Sequence, residues 1–310
     1  MSTTTVTATG TPVPAAEKKV PGVTRAKQML TSRLGSLVAV LIALLWTIPT
    51  FGLLVTSFRP RAEILGSGWW NAFADGIWTL DNYELVLFGS TASGNLFPNI
   101  VNSIVITIPG ALFPLIVSIL AAYAFSVLEW KGRDTVFIFV FALQIVPLQM
   151  ALIPLLQIFS GTWWANLIPF APVWIAHTCF ALPLATFLMH NFMSEIPRSL
   201  IEAAKVDGAG HATLFVRVIL PLMVPAIASF AIFQVLWVWN DLLVGLTFTG
   251  GSQATEPITS RLSNMASANF GNNQHLLTSG AFISMILPLI VFFTLQRYFV
   301  RGMMAGSVKG

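Results

Sequence analysis

Charge-free stretches divide the chain into segments long enough to cross a membrane. A hydrocarbon core of about 30 Å needs about 20 apolar residues in a helix. The gap after Arg33 and the gap after Glu84 each hold a stretch of that length, dense in Leu, Val and Ile. These two gaps predict the first two membrane spans.

The longest charge-free gap lies between Asp134 and Glu195 and is too long for one helix. A polar turn with tryptophans at 160–166 divides it, as is typical of a membrane interface. Two spans are therefore expected in this gap and two more after it. The predicted spans are at about 37–58, 100–128, 136–159, 168–192, 220–247 (interrupted by Asp241) and 277–299. This pattern predicts an all-α polytopic membrane protein with six transmembrane helices.

The composition excludes most soluble classes and leaves the lipid bilayer as the expected surrounding. The 310 residues are 55% hydrophobic and only 9% charged, against roughly 25% charged in an ordinary soluble domain. A disordered protein, a secreted disulfide scaffold and a nucleic-acid binder are all disfavoured, so no nucleic-acid partner is expected. The single cysteine, Cys179, leaves no internal disulfide or cysteine metal cluster. We expect it to be a small core residue.

The positive charges predict the orientation of the chain. Most of the 16 Lys and Arg residues fall before the first span, after the sixth, between the second and third, or between the fourth and fifth. The exceptions are Arg59, Arg61 and Arg261. Because cytoplasmic loops carry an excess of Lys and Arg, we expect a multi-pass protein of the cell (inner or plasma) membrane with both termini in the cytoplasm. Residues 1–33 are expected to form a disordered cytoplasmic tail.

The loop between the fourth and fifth spans predicts two short helices. Ser194 suits an N-cap and Pro197 suits a first turn. Gly208 suits the left-handed position that follows a helix. A second helix, from about residue 212, leads into the fifth span.

The first of these helices contains Glu202, Ala203 and Ala204. Two small side chains form a flat surface that another protein's backbone can approach closely, and the carboxylate can anchor that approach to a cation. The alternative is a surface helix that only connects two spans, and helical periodicity by itself favours that alternative.

The order of residues in this loop resembles the EAA motif of the permease subunits of binding-protein-dependent ABC importers. That pattern is Glu-Ala-Ala, three residues, Gly, nine residues and Ile-x-Leu-Pro, and the chain departs from it only at Val218. The matching residues are Glu202, Ala203, Ala204, Gly208, Leu220 and Pro221. Segments 121–126 and 239–241 are similar to carbohydrate-type permeases, and 296–310 is similar to the tail of the maltose-type second permease.

The resemblance implies a type I ABC importer permease fold (MetI-like) with a cytoplasmic coupling helix. Its transmembrane core would be 100–299, preceded by a first helix and outer loop at 34–99 and followed by a cytoplasmic tail at 300–310. The motif residues would sit in a cleft of an ATPase subunit. The tail residues implied to contact the two ATPase subunits are Arg301, Gly302, Gly306 and Lys309. A homologous second permease and an extracytoplasmic sugar-binding protein are the other implied partners, and the outer loop 250–275 can contact the latter.

The sequence itself assigns ATP hydrolysis to a partner. It contains no Gly-x4-Gly-Lys-Ser/Thr loop, so the chain cannot itself be a P-loop ATPase. We therefore expect a permease subunit rather than an enzyme, with no cofactor in this chain, and ATP and Mg²⁺ bound by the partner ATPase.

Polar residues inside the predicted spans are candidates for lining a sugar pathway. They are Gln144, Gln149, Gln234, Asn240 and Asp241. The amides can equally join helices, and Asp241 can be either a functional carboxylate or a hydrogen-bonded structural residue.

The sequence predicts the permease subunit of an ATP-driven importer of a maltose-, α-glucoside- or trehalose-like oligosaccharide. One alternative is an ion-gradient-driven secondary transporter that uses Asp241, and another is a membrane assembly protein that transports nothing.

Overall fold

The computed structural model describes residues 33–90, 94–250, 252, 254–268 and 273–305. Contact clustering separates the chain into one unit that ends at Gly52 and a second that begins at Leu53. All regular structure in the described ranges is helical. The α-helices are Arg33–Ser57, Arg61–Gly66, Ala72–Asp75, Asp81–Phe88, Phe97–Ser126, Arg133–Ala142, Leu148–Phe159, Trp163–Leu167, Ala171–Ser194, Arg198–Val206, His211–Leu214, Leu220–Asn240, Leu243–Thr249, Ile258–Ala268 and Gln274–Ala305. The shorter turns are Trp69–Asn71, Leu143–Ile145 and the π-helical turn Phe215–Ile219.

Five continuous helical segments are long and apolar enough to cross a membrane. We call them spans 1, 2, 4, 5 and 6, and they are Gly35–Ser57, Phe97–Ser126, Ala171–Ser194, His211–Asn240 and Gln274–Gln296. A bent pair of helices, called span 3, makes a sixth crossing when its two parts are counted as one span. The predicted all-α, six-span fold class is confirmed with this one exception to continuity.

Span 3 is a bent pair of helices where the sequence predicts a single span over 136–159. Its two parts, Arg133–Ile145 and Leu148–Phe159, meet at an angle of 99°. Proline disfavours helical backbone in the residue before it and lacks the N–H that a continuing helix needs. Val146 accordingly has ψ 119°, and Pro147 starts the second part as its N-cap. The apolar pattern predicted the length of this span, and Pro147 explains the bend.

Spans 2, 4 and 5 pack around a cluster of apolar side chains at the end of the second unit that carries the loop 195–210. We call this end the motif end. The cluster includes Tyr123, Met189, Leu214 and Ile219, all buried. Helices within a bilayer are held together by close van der Waals packing, so this buried cluster joins the three spans where the loop meets them.

The opposite end of the second unit is held by polar side chains. Asn99 and Asn102 on span 2 donate to the carbonyl oxygen of Glu256 at 2.9 and 3.2 Å, and the Ser103 hydroxyl accepts from the Ile258 N–H at 2.8 Å. The Glu256 carboxylate is buried, 3.4 Å from Arg261. These contacts fix the start of the helix Ile258–Ala268 against span 2.

Two local expectations are wrong. Ser194 is not an N-cap, because the span 4 helix continues through it and the next helix is preceded by Pro197. Cys179 is not a core residue, because its side chain is exposed on span 4. In both cases the extent and rotation of span 4 decide the environment, and neither follows from residue type.

Candidate functional site

The loop between spans 4 and 5 forms the two short helices that its sequence predicts. The first, Arg198–Val206, is called the motif helix here, and Pro197 precedes it. Backbone bonds from Asp207 to Ala203 and from Gly208 to Lys205, both 3.0 Å, close its last turn. Gly208 has φ +83°, which confirms the predicted left-handed position. A Cβ on Gly208 would meet no atom within 4 Å, so backbone conformation, and not packing, requires glycine here.

The motif helix has a packed face and an open face. Ile201 and Ala204 are half-buried and lie against the cluster of the motif end. Glu202 and Ala203 are exposed on the other side. The two alanines of the motif therefore differ, since one packs on the spans and the other is available to a partner.

Charged residues surround a small cavity of about 90 Å³ beside the motif helix. The turn after span 2 contributes Glu129 and Arg133, and the motif helix contributes Arg198, Glu202 and Lys205. This arrangement brings together the two loops that the positive charges predicted to share one side of the membrane. Within the described part of the chain, no ion pair joins Glu202 to these cations. Its carboxylate can therefore meet a cation from another protein.

The end of the motif, Leu220 and Pro221, starts the regular part of span 5. Leu220 is half-buried against the cluster of the motif end, and Pro221 is exposed in the first turn. In a regular α-helix the proline ring would clash with the carbonyl four residues earlier, at Arg217. The π-helical turn Phe215–Ile219 lies at that place and widens the helix, which relieves the clash.

The polar residues predicted to line a pathway do not lie in one place. Gln234 is buried and donates to the carbonyl of Gly110 on span 2 at 3.2 Å, which is the helix-joining alternative. Asn240 is exposed and donates to the carbonyl of Leu236 in its own helix at 2.8 Å. One Asp241 carboxylate oxygen accepts the N–H of Val244 at 2.7 Å. That contact caps the following helix, as the structural interpretation of Asp241 requires.

The break in span 3 forms one wall of a second cavity, which has a volume of about 480 Å³. Gln144 lies in the wall contributed by span 3, Cys179 lies on span 4, and Trp237 lies on span 5. Gln149 is exposed near the start of the second part of span 3. Of the five pathway candidates, Gln144 is the one that lines this cavity.

The predicted tail is only partly described. The helix that contains span 6 continues to Ala305, so Arg301 and Gly302 lie in that helix, past the predicted boundary at 299. Gly306 and Lys309 lie outside the described residues. The contact of these four residues with ATPase subunits stays a prediction.

Two features of the site were not predicted from the sequence. Val206, the last residue of the motif helix, is 87% exposed. The available signal was its position between Lys205 and Asp207, since an apolar residue between two charged ones has no core to enter. The Tyr123 hydroxyl lies 2.9 Å from Nδ1 of His211. Eighty-eight positions separate these two residues, and no local pattern reports such a contact.

Comparisons with known proteins agree with this geometry. Residues 114–305 match the family described as binding-protein-dependent transport system inner membrane component. The chain is 48% identical to the osmoprotective compounds uptake permease protein GgtD of Synechocystis, covering 86% of this chain and 89% of that protein. It is 45% identical to the alpha-glucoside transport system permease protein AglG of Rhizobium meliloti, covering 75% of this chain and 60% of that protein.

The fold also matches a solved structure of an ABC importer. A bacterial ABC transporter that imports the acidic polysaccharide alginate aligns with a TM-score of 0.65 at 19% identity, covering 93% of this chain and 100% of that one. At that identity the match speaks for the fold alone. The chain belongs to the family of binding-protein-dependent transport system inner membrane components and has the type I fold of ABC importer permeases.

Proposed function

We propose that this chain is the permease subunit of an ATP-driven importer of α-glucosides and similar oligosaccharides. In this proposal the motif helix couples closure of an ATPase subunit to movement of the spans. Glu202 and Ala203 contact the ATPase, Gly208 shapes the turn behind them, and Leu220 and Pro221 pass the movement to span 5.

The two-faced motif helix is the observation that carries the proposal. Its packed face rests on the apolar cluster shared by spans 2, 4 and 5, and its open face carries Glu202 and Ala203. A partner that moves the open face therefore also moves the spans, because a closely packed interior transmits a displacement to the neighbouring side chains.

The substrate class rests on relatives. One relative is named for alpha-glucoside transport and another for uptake of osmoprotective compounds. More distant relatives are named for arabinooligosaccharides and for melibiose, raffinose and stachyose. All of the named sugars are oligosaccharides or glycosides rich in hydroxyl groups. Amide side chains can bind such molecules, and Gln144, beside the cavity at the break of span 3, is our first choice for a pathway residue.

The proposal includes a membrane orientation and a set of partners. The motif end, with the charged cavity, faces the cytoplasm, and both termini lie on that side. The partners are a homologous second permease, two ATPase subunits that bind ATP and Mg²⁺, and an extracytoplasmic sugar-binding protein. The tail from Arg301 contacts the ATPase subunits. A solved alginate ABC transporter in complex with its periplasmic protein aligns with a TM-score of 0.61, and that complex is the reason to include a binding protein among the partners.

The test uses the complex purified from native membranes through a tag on this chain and reconstituted into liposomes together with its sugar-binding protein. The probes are labelled maltose, trehalose and sucrose, each measured with ATP and, separately, with a proton or sodium gradient. We expect ATP-dependent uptake of at least one probe. We expect Glu202→Lys to lose co-purification of the ATPase and to lose uptake while still inserting in the membrane. Glu195→Lys is the matched control, because Glu195 is also an exposed glutamate in the loop but precedes the motif helix.

Two results would contradict the proposal. Uptake driven by an ion gradient without nucleotide would favour a secondary transporter. Unchanged uptake and ATPase association in Glu202→Lys would remove the motif helix from the coupling path.

A further inference from the structure

Tyr123 on span 2 contacts His211, the first residue of span 5. His211 directly follows the linker, residues 207–210, that joins the motif helix to span 5. The two polar atoms, Tyr123 Oη and His211 Nδ1, lie 2.9 Å apart, and Oη is also 3.5 Å from the carbonyl oxygen of His211. The tyrosine ring is buried and meets the ring of Phe215 edge-on, with centroids 5.2 Å apart. The tyrosine therefore contacts both the start of span 5 and its π-helical turn.

The linker before His211 is the place where movement of the motif helix can be lost. It runs from Asp207 to Gly210 and includes two glycines, one of them at φ +83°. The N–H groups of residues 207–209 bond back to the motif helix, and glycine has more accessible backbone conformations than any other residue. Bending of the linker therefore falls on Gly210 and the bond before it when the motif helix is pushed. A hydrogen bond at the first residue after the linker removes that freedom by attaching its far end to span 2.

The motif helix, which precedes the linker, is held by the apolar cluster of the motif end. Ile201 and Ala204 of the motif helix lie against the cluster that includes Tyr123, Leu214 and Ile219. The motif helix and His211 thus rest on one rigid group of side chains, on both sides of a flexible linker. The π-helical turn follows directly, and such turns are frequent at functional sites of helices.

We infer that Tyr123 and His211 are positioning residues for coupling: their hydrogen bond makes the motif helix and the start of span 5 move as one body with span 2. This inference rests on the proposed function, since it concerns how ATPase movement reaches the spans. It assigns no contact of either residue with sugar, nucleotide or the ATPase.

The test measures labelled sugar taken up per ATP hydrolysed in the reconstituted complex, with the probe among maltose, trehalose and sucrose that the wild type transports fastest. Tyr123→Phe keeps the ring on Phe215 and removes only the hydroxyl. We expect it to keep ATPase co-purification and ATP hydrolysis but to lower uptake per ATP about fivefold, the factor that corresponds to one typical net hydrogen bond. A residue with a merely structural role would lower thermal stability and leave this ratio unchanged.

Variants of the histidine sharpen the test. His211→Asn places an amide atom at the position of Nδ1 and is expected to keep the wild-type ratio. His211→Gln reaches the position of Nε2 instead, and His211→Leu has no polar atom, so both are expected to lower the ratio as Tyr123→Phe does. The double variant Tyr123→Phe/His211→Leu is expected to be no worse than either single change, because both remove the same bond.

The outcomes separate this inference from the proposed function. A wild-type complex without ATP-dependent uptake would refute the proposed function itself. An active wild type with an unchanged ratio in Tyr123→Phe, or with His211→Asn as impaired as His211→Leu, would overturn the positioning role and leave the importer intact. Additive losses in the double variant would likewise show that the two residues do not act as a pair.

Discussion

The two ends of the second unit are stabilised in different ways. At the opposite end, Asn99, Asn102 and Ser103 on span 2 bond the backbone around Glu256. At the motif end, the loop rests on apolar contacts of Ile201 and Ala204 and exposes Glu202. Side chains aimed at buried backbone groups fix a segment in one position, because leaving such groups unpaired is costly. The apolar face of the motif helix packs on the cluster of the motif end, and the other face of the helix stays open to a partner.

This difference leads to opposite expectations for substitutions. Changes at the opposite end should lower the thermal stability of the protein. Any loss of transport there should be a consequence of that lower stability. Changes on the open face of the motif helix should leave stability unaltered and affect transport directly. Four substitutions test this contrast, from the largest expected effect on stability to the smallest.

Glu256→Ala is expected to lower stability the most. It removes the carboxylate that lies 3.4 Å from Arg261 and accepts a 3.0 Å bond from Asn264, and loss of one partner from a buried ion pair costs about 3 kcal/mol. Thermal unfolding of the purified protein in detergent measures the effect. The exposed Glu84, changed to alanine, is the control, and an equal midpoint for the two variants would show that the buried pair does not hold this end together.

Asn102→Leu should have a smaller effect in the same direction. Its amide donates to the carbonyl oxygens of Ala254 and Glu256 at 3.0 and 3.2 Å. Glu256 keeps its bond from Asn99 and Ala254 is exposed to solvent, so the change costs one typical net hydrogen bond, about 1 kcal/mol. Asn240→Leu is the matched control, because Asn240 also donates to a carbonyl but is exposed and bonds within its own helix. Proteolysis within the loop 250–275 should accelerate in the first variant alone.

The same contrast explains which parts of the fold the sequence predicts. The spans follow from charge-free apolar length, and the loop helices follow from local signals such as Gly208, whose left-handed backbone was expected and is found. These features depend on residues close together in the chain. The bend of span 3 lies at Pro147, a local signal for a kink, but the sequence pattern gives the length of the span and not the 99° angle between its two parts.

The contacts of the site depend on the rotation of each span, which a single apolar pattern does not fix. Gln234 and Gln144 are the same residue type inside predicted spans, yet one bonds Gly110 and the other lines a cavity. Cys179 is exposed and lines the same cavity for the same reason. The bond between Tyr123 and His211 needs two helices in register, and nothing near either residue in the sequence indicates it.

Gly208→Ala tests the backbone at the motif end. At φ +83° an alanine costs about 1 kcal/mol in strain, a modest loss that falls on the turn behind the motif helix. We expect a small shift in the unfolding midpoint and a larger relative loss of ATP-driven uptake. Gly210→Ala is the matched control, because Gly210 has φ −70° and open space around it. Equal uptake in the two variants would show that the left-handed turn does not shape the coupling segment.

Of the four substitutions, Val206→Ser is expected to change the free energy of unfolding least. It is expected to weaken binding of the ATPase. The side chain is 87% exposed, and substitutions at such positions usually alter the free energy of unfolding by less than about 0.5 kcal/mol. If the open face of the motif helix enters a cleft of the ATPase, that apolar side chain is buried in the complex, and its replacement by serine removes about 1 kcal/mol of transfer free energy. The dissociation constant of the ATPase, measured by titration onto the detergent-solubilised permease assembly, should then rise about fivefold. Ser199→Ala, on an exposed position of the same helix, should leave it unchanged. A Val206→Ser protein that unfolds at a lower temperature but binds the ATPase as tightly as the wild type would reverse the contrast between the two ends, because the open face would then serve the fold and not a partner.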